Sequence, residues 1–169
     1  MKARGILWGL AALTLAVALG LALRGAVLHV ARVEGTSMED TLRGGDLVLV
    51  NLLEYGRGRD PGRGEVAECR FAGRSGTYIK RIIGLPGDEV RGVGGMVFVN
   101  GVELDEPYVS SHTEDFEVRL AENEYFVLGD NRADSYDSRM PDMGPVNRED
   151  LLGRVCCVLW PLSRVGGVH

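Results

Sequence analysis

An uninterrupted apolar segment near the amino terminus limits what this chain can fold into more than any other feature. Residues 6–23 read ILWGLAALTLAVALGLAL and carry no charge. As a helix they extend about 27 Å, close to the hydrocarbon thickness of a bilayer. Lys2 and Arg4 precede the segment, and such cations favour the cytoplasmic side. We therefore expect residues 1–33 to form a cytoplasmic tip, one transmembrane anchor and a juxtamembrane segment, with residues 34–169 folding on the outer face of the cell membrane.

A cleaved secretory signal is the alternative interpretation of the same segment. It shares the positively charged start but has a shorter apolar core and a small-x-small cleavage site. The only candidate for such a site is the weak LALRG sequence of residues 21–25. The length of the apolar run and the missing cleavage pattern favour an uncleaved, single-pass anchor.

The distribution of charge divides the chain at the same place. Residues 1–33 contain four basic side chains and no acid, whereas residues 34–169 contain 15 basic and 24 acidic ones. Phosphate binding needs clustered cations, so an acidic body argues against a nucleic-acid partner. The chain is 45% apolar and has 24 glycines but six prolines. This composition is typical of a folded domain with many tight turns.

Short apolar stretches separated by glycine follow Glu34, a pattern typical of β-strands joined by tight turns. Asn100 and Gly101 predict a type I′ hairpin turn, because both positions of that turn need positive φ. Arg148–Leu151 predicts a single helical turn. The body is therefore expected to be all-β. Eight segments have strand length and β-branched or aromatic content, namely residues 46–51, 65–71, 77–84, 96–99, 102–104, 116–120, 124–128 and 153–160.

Lysine usage singles out one residue of the body. The chain has 17 arginines but only two lysines, and Lys2 belongs to the flank of the anchor, which leaves Lys80. A buried lysine can lose its proton, whereas arginine stays charged. Strand alternation in TYIKRIIGLPGD places Tyr78, Lys80 and Ile82 on one face, among apolar neighbours. Lys80 is thus a candidate for a neutral catalytic amine, and the ordinary alternative is a strand lysine that extends to water.

Two polar segments could supply a group for such an amine to deprotonate. Ser37 lies in GTSMEDTL at the start of the body, where a serine ordinarily caps a turn. The segment GDNRADSYDSR, residues 129–139, follows an apolar strand, and its ordinary interpretation is a hydrogen-bonded loop. Neither segment alone indicates catalysis.

The motifs GTSMEDTL, GDLVLV, YIKRIIGLPGD and GDNRADSYDSR, in this order behind an apolar segment, closely resemble those of bacterial type I signal peptidases. The resemblance covers about residues 35–161. It implies a membrane-anchored serine endopeptidase that removes amino-terminal signal peptides from exported precursors, without a cofactor or metal. It also implies coiled antiparallel sheets forming a partly open barrel-like body, with a small cap over roughly residues 96–120.

The resemblance assigns Ser37 as the nucleophile and Lys80 as the general base. Ser37 Oγ would attack the peptide carbonyl while neutral Lys80 accepts its proton, and water would then hydrolyse the acyl-enzyme. The backbone N–H of Ser37 is the first candidate oxyanion donor, since Gly35 has no hydroxyl to contribute. The expected partners are the lipid bilayer and membrane-tethered precursors with small residues before the cleavage site, bound as an added strand.

Five further residues are supporting candidates. By resemblance, the Ser135 hydroxyl would orient the lysine, while Asp137 and Arg139 would brace the loop. Tyr78 and Asp130 lie in the same two motifs.

One departure from the family pattern is visible beside the nucleophile. Asp40 stands where these peptidases usually have proline, so the rigidity of the turn is in doubt. The apolar residues around Met38, close to the anchor, are expected to rest at the bilayer surface near the cleavage site.

The cysteines indicate no separate site. Cys69, Cys156 and Cys157 lack a C-x-x-C spacing, so no metal site is expected. A disulfide at Cys69 and buried strand thiols are both open alternatives. The three scattered histidines do not suggest a Ser-His-Asp triad.

Two other functions fit parts of the pattern. A self-cleaving serine/lysine protease of the repressor type shares the dyad but would need a DNA-binding domain in place of the membrane anchor. A catalytically silent, membrane-tethered β-module that binds exported chains would share the fold. Cleavage activity that depends on Ser37 and Lys80 would separate the peptidase from the silent module.

Overall fold

The computed structural model describes residues 27–39, 41–55 and 59–169. The predicted anchor and Asp40 lie outside these ranges. Within them, no helix has the length and apolar character needed to cross a membrane. The regular structure of the described ranges is almost entirely β, which confirms the predicted all-β class of the body.

The regular secondary structure of the described residues consists of twelve strands and three short 3-10 helices. The helices are Arg132–Asp134, Arg148–Asp150 and Leu162–Arg164, and the second confirms the predicted helical turn. All eight predicted strands are present, with small differences at their ends. The strands are β1 (Leu28–Arg32), β2 (Leu47–Asn51), β3 (Val66–Cys69), β4 (Tyr78–Gly84), β5 (Glu89–Val93), β6 (Met96–Val99), β7 (Val102–Glu103), β8 (Phe116–Arg119), β9 (Glu124–Leu128), β10 (Val146–Asn147), β11 (Leu151–Trp160) and β12 (Gly166–Gly167).

The larger sheet has the strand order β1-β2-β11-β3-β4-β9-β10, with β12 paired to β11. Its neighbouring strands run antiparallel. The long strand β11 shifts register against β2 at two places, between Val155 and Cys157 and between Val158 and Trp160. Such bulges bend a strand and increase its twist. The sheet accordingly curls into a half-barrel, in agreement with the partly open body that was predicted.

A smaller sheet in the order β7-β6-β5-β8 forms the cap. Asn100 and Gly101 have φ values of 53° and 80°, which confirms the predicted hairpin turn between β6 and β7. The cap begins earlier than residue 96, because β5 starts at Glu89. Strand β5 was not predicted from the sequence. It alternates exposed and buried residues and contains Gly92, so it has fewer apolar residues than the strands that were predicted.

An apolar cluster inside the curled sheet fixes the segment that carries Ser37. Val48 and Val50 of β2 pack there with Val155 of β11, together with Met38 and Leu42. Met38 is 2% exposed and Leu42 is fully buried. The expectation of contact with a bilayer surface is therefore wrong for Met38 itself, because its side chain belongs to the core.

A second cluster joins the two sheets. Ile83, Val90, Leu120 and Phe126 are buried together between them. A Cβ on Gly84 would fall 2.6 Å from Leu120 Cδ1 and 2.7 Å from Val90 Cγ2, so the glycine permits this close approach. The cap is thereby packed directly against β4, which carries Lys80, and against β9, which leads into the polar loop of residues 129–139.

Candidate active site

Ser37 and Lys80 meet although 43 residues separate them in sequence. Ser37 lies in the turn between β1 and β2, and Lys80 lies on β4, opposite Ala67 of β3. Lys80 Nζ donates a hydrogen bond to Ser37 Oγ at 2.5 Å. The lysine is 3% exposed, whereas the serine is half-buried and lines an open cavity. A hydroxyl and an amine are thus in contact at the wall of a cleft.

The turn that carries Ser37 is held by its own backbone and by its two buried neighbours. Glu39 N–H donates to the Thr36 carbonyl at 3.0 Å, and Leu42 N–H donates to the Met38 carbonyl at 2.8 Å. Met38 and Leu42 bury their side chains on the inner side of the turn. This leaves the Ser37 side chain at the cleft rather than in the core.

The surroundings of Lys80 favour a neutral amine. Burial lowers the pKa of the Lys80 ammonium, and the Asp137 carboxylate opposes this shift. Burial also raises the pKa of the neighbouring Cys69 thiol to about 12, so that thiol carries no charge near neutral pH. Cys69 is a free, buried thiol, so of the two alternatives left open by the sequence it is the buried strand thiol that is present, not a disulfide. The amine is therefore more readily deprotonated than an ordinary lysine.

The loop after β9 is bonded to the turn that carries Ser37. Asn131 N–H donates to the Ser37 carbonyl at 3.1 Å. Thr36 Oγ1 donates to Asp134 Oδ2 at 2.5 Å. The two chain segments, which are far apart in sequence, thus fix each other beside Ser37.

Asp130 is fully buried and pairs with Arg81, which is 1% exposed. Arg81 Nε and Nη2 donate to the two carboxylate oxygens at 2.8 and 2.7 Å. Thr41 Oγ1 adds a hydrogen bond to Asp130 Oδ2 at 2.5 Å. The Arg81 guanidinium also lies 3.8 Å from the centre of the Tyr108 ring. Asp130 is therefore a structural anchor for the turn, and its partner Arg81 was missed although it directly follows Lys80.

Asp137 and Arg139 form a second buried pair in the same loop. Arg139 Nε donates to Asp137 Oδ1 at 2.8 Å, and Arg139 Nη2 donates to the Arg132 carbonyl at 2.9 Å. Gly129 N–H donates to Asp137 Oδ2 at 3.0 Å. These bonds join the start, middle and end of the loop.

The Ser135 hydroxyl is buried and has no hydrogen-bond partner among the residues that the structure describes. It lies against Gly129, where an added Cβ would fall 2.2 Å from Ser135 Oγ and 2.4 Å from the Ser37 carbonyl oxygen. The hydroxyl is therefore beside the backbone of the nucleophile. Its orienting role toward Lys80 stays a prediction.

A cavity of about 570 Å³ opens onto the dyad. Tyr78 forms part of its wall and packs edge-on against Phe71, with ring centres 5.2 Å apart. Sequence reasoning did not identify Glu68 and His29, two ionisable residues of this wall. Among the described ranges, no group of three or more histidine, cysteine or acidic side chains could hold a metal ion. The main lining residues besides the dyad are Ala31, Val33, Met38, Glu68, Tyr78 and Ile79.

Known proteins resemble this chain over most of its length. The family model described as signal peptidase, peptidase S26, matches residues 6–160. A Synechocystis protein named "Probable signal peptidase I-2" is 42% identical over 159 residues, which cover 89% of this chain and 72% of the relative. Signal peptidase I P of Bacillus subtilis subsp. natto is 34% identical over 170 residues, with coverage of 94% and 90%.

A solved structure shows the same similarity in three dimensions. The crystal structure of a signal peptidase I from Enterococcus faecalis aligns with a TM-score of 0.53 and 30% sequence identity. The alignment covers 57% of this chain and 97% of that chain.

Proposed function

Because this chain belongs to the signal peptidase family, peptidase S26, we propose that Ser37 and Lys80 form the catalytic dyad of a membrane-anchored signal peptidase. The family relationship supports removal of signal peptides from exported precursor proteins by a serine peptidase. The observation that carries the dyad is the 2.5 Å contact between a buried amine and Ser37 Oγ.

The contact supports a two-step reaction. In the first step, Ser37 Oγ bonds to the peptide carbonyl carbon while neutral Lys80 takes the hydroxyl proton. The lysine then gives that proton to the leaving amine, and an acyl-enzyme forms. In the second step, water attacks the ester, Lys80 takes the proton from water, and the proton returns to Ser37 Oγ. The Ser37 backbone N–H would stabilise the negative oxygen in both steps.

Two backbone edges beside the cavity, unpaired among the residues that the structure describes, support binding of an extended precursor. Strand β1 is an end strand of the larger sheet. The pairing of β4 with β9 begins only at Arg81, although Tyr78, Ile79 and Lys80 line the cavity. A precursor segment can therefore add as a strand, and the cavity walls would select small side chains before the cleaved bond.

The position of β1 supports a membrane-anchored enzyme. Strand β1 starts at Leu28, close after the apolar run of residues 6–23, and its residue Ala31 lines the cavity. An anchor formed by that run would hold the cleft near the bilayer, where a tethered precursor presents its cleavage site.

Cleavage of an exported precursor tests this proposal. The detergent-solubilised full chain is incubated with a precursor that carries Ala-x-Ala before its cleavage site, and the amino terminus of the product is sequenced. We expect one cut after the second alanine, and loss of the cut in Ser37→Ala and in Lys80→Ala. The control Ser110→Ala, at an exposed serine of the cap, retains it. Cleavage that survives both dyad substitutions would contradict the proposal and favour a different catalyst.

A further inference from the structure

A buried carboxylate lies in the cleft, and the described part of the chain offers one of its oxygens no hydrogen-bond donor. Glu68 is on β3, and its side chain is 5% exposed. It lines the same cavity as Ser37 and Lys80. Among the described residues, Glu68 Oε2 accepts no hydrogen bond. His29 Nε2 lies 3.1 Å from Glu68 Oε2, but this contact lacks hydrogen-bond geometry. The cleft therefore contains an acceptor that the fold itself leaves unsatisfied.

Packing alone does not account for a glutamate at this position. Glu68 pairs in register with Ile79, and directly opposite residues of antiparallel strands share a face. Ile79 packs against the apolar cluster that contains Val33 and Met38. A carboxylate buried on such a face is unfavourable unless it is hydrogen-bonded, and a valine would fit the strand better. The unsatisfied oxygen indicates a donor that arrives with the substrate.

The register of β3 and β4 relates Glu68 to the cleaved bond. Lys80, which contacts Ser37, pairs with Ala67, whereas Glu68 pairs with Ile79, the preceding residue on the part of β4 that β9 leaves unpaired. In an extended substrate, side chains on one face recur every second residue. The side chain of the residue attacked by Ser37 and the side chain two positions before it would therefore point to the same face of the cleft. The second of these would lie further from the dyad, on the face where Glu68 and Ile79 pair.

From this arrangement we propose that Glu68 is a specificity-determining residue that accepts a hydrogen bond from a hydroxyl side chain of the precursor. The hydroxyl belongs to the residue two positions before the one whose carbonyl Ser37 attacks. This inference rests on the proposed peptidase function, and it names serine and threonine as preferred residues at that position.

The neighbouring charges favour a hydroxyl over a cationic side chain. His29 contacts the carboxylate, and Arg32 also lines the cavity. A substrate lysine would compete with these basic groups and would lose its own hydration on entering. A hydroxyl brings one donor with little bulk. Valine has the same shape as threonine without the donor, so it would leave the Glu68 oxygen unsatisfied and exclude water from it.

Matched precursors test the inference. They differ only at the position two residues before the cleaved one, which carries alanine, serine, threonine, valine or lysine. The value of kcat/KM is measured for the full chain, Glu68→Gln, Glu68→Val and the control Glu117→Gln, which removes an exposed acid of the cap. We expect the unmodified chain to prefer threonine to valine roughly tenfold. The preference should fall to about one in Glu68→Val and persist, in weaker form, in Glu68→Gln.

The result separates this inference from the proposed function. Cleavage of the alanine precursor that depends on Ser37 tests the function, whereas the ratio for threonine and valine tests Glu68. An unchanged ratio in both Glu68 variants, or a preference of the unmodified chain for lysine, would overturn the inference. If Glu68→Val does not fold, Glu68→Gln, which keeps the size of the side chain, tests the inference through the same ratio of kcat/KM for the threonine and valine precursors.

Discussion

At the residue scale, the proposed chemistry depends on Lys80, a lysine whose charge the fold disfavours. Lys80 is buried beside a serine hydroxyl, and burial lowers its pKa while Asp137 acts in the opposite direction. Arginine could not replace it, because a guanidinium keeps its proton under all ordinary conditions. The single lysine of the body therefore stands where the proposed mechanism requires a neutral amine.

The lowered pKa of Lys80 predicts a pH dependence of folding. An unfolded lysine stays protonated up to a pKa of about 10.4, whereas folded Lys80 loses its proton at lower pH. Between the two values the unfolded chain binds more protons, so the free energy of unfolding rises with pH through this window. Lys80→Met should remove that slope and should be more stable than the unmodified chain at neutral pH.

Urea unfolding of both chains from neutral pH to about pH 10 provides the measurement. The difference between the two chains isolates Lys80, because Cys69 and the buried tyrosines contribute to both. Parallel curves for the two chains would contradict a lowered lysine pKa in the folded state.

Sequence reasoning identified Ser37 and Lys80, which the structure brings into contact, but not the buried charges around them. Lysine usage marked Lys80, and the order of the motifs marked Ser37. Glu68 and Arg81 were missed because each is an ordinary strand residue in the sequence. Their importance comes from burial and from partners supplied by distant segments, such as Asp130 for Arg81. Pairing of this kind follows from the tertiary fold and has no local signal.

At the element scale, the end of β9 and the loop after it contact the turn that carries Ser37. Gly129 follows this strand, and the Ser135 hydroxyl and the Ser37 carbonyl both press against it. The loop beyond it bonds to the Ser37 turn through Asn131 and Asp134. These contacts fix the turn from outside, in a chain that has Asp40 where its family usually has proline.

The close approach at Gly129 predicts the effect of one added methyl group. A Cβ there would fall 2.4 Å from the Ser37 carbonyl oxygen, so Gly129→Ala must displace the turn or the loop. We expect kcat/KM to fall at least tenfold and the free energy of unfolding to fall by about 1–3 kcal/mol. Precursor cleavage and urea unfolding measure the two effects. The control Gly166→Ala, whose Cβ would approach only the Arg164 carbonyl, at 4.0 Å, should change neither. Full activity of Gly129→Ala would show that the contact is not required.

Strands with dense apolar residues were predictable, and strands defined by their neighbours were not. The pattern of β2, with alternate residues buried, was visible in the sequence. Strand β1 was missed because it lies within residues 1–33, which were assigned to the anchor and its juxtamembrane segment. Its residues His29 and Ala31 are half-buried in the larger sheet. Strands β10 and β12 have two residues each, too short for any periodicity.

At the scale of the whole molecule, Arg81 connects segments from across the chain. Besides Asp130, its guanidinium donates to the Gly64 carbonyl at 2.7 Å and the His169 carbonyl at 2.9 Å. It also donates to Thr41 Oγ1 at 3.2 Å, within the segment that carries the nucleophile. One buried cation thus unites β4, the loop after β9, the Ser37 turn and residue 169.

This network predicts a large cost for removing its carboxylate. Asp130→Ala leaves the Arg81 guanidinium buried without its charge partner, and we expect the free energy of unfolding to fall by about 3–5 kcal/mol. Glu117→Ala, which removes an acid 3.7 Å from Arg91 on the exposed face of the cap, should change it little. Urea unfolding of the two variants compares them. Equal stability of both would show that Arg81 is satisfied by its carbonyl partners alone.

The proton state of Lys80 is the centre of this account, and the pH dependence of cleavage tests it most directly. The value of kcat/KM for an Ala-x-Ala precursor is measured from about pH 5 to pH 9, within the range in which the fold is stable. We predict that it rises with pH as the buried amine loses its proton, with a midpoint below the ordinary lysine value of about 10.4. A flat profile across the whole range would contradict a lysine base.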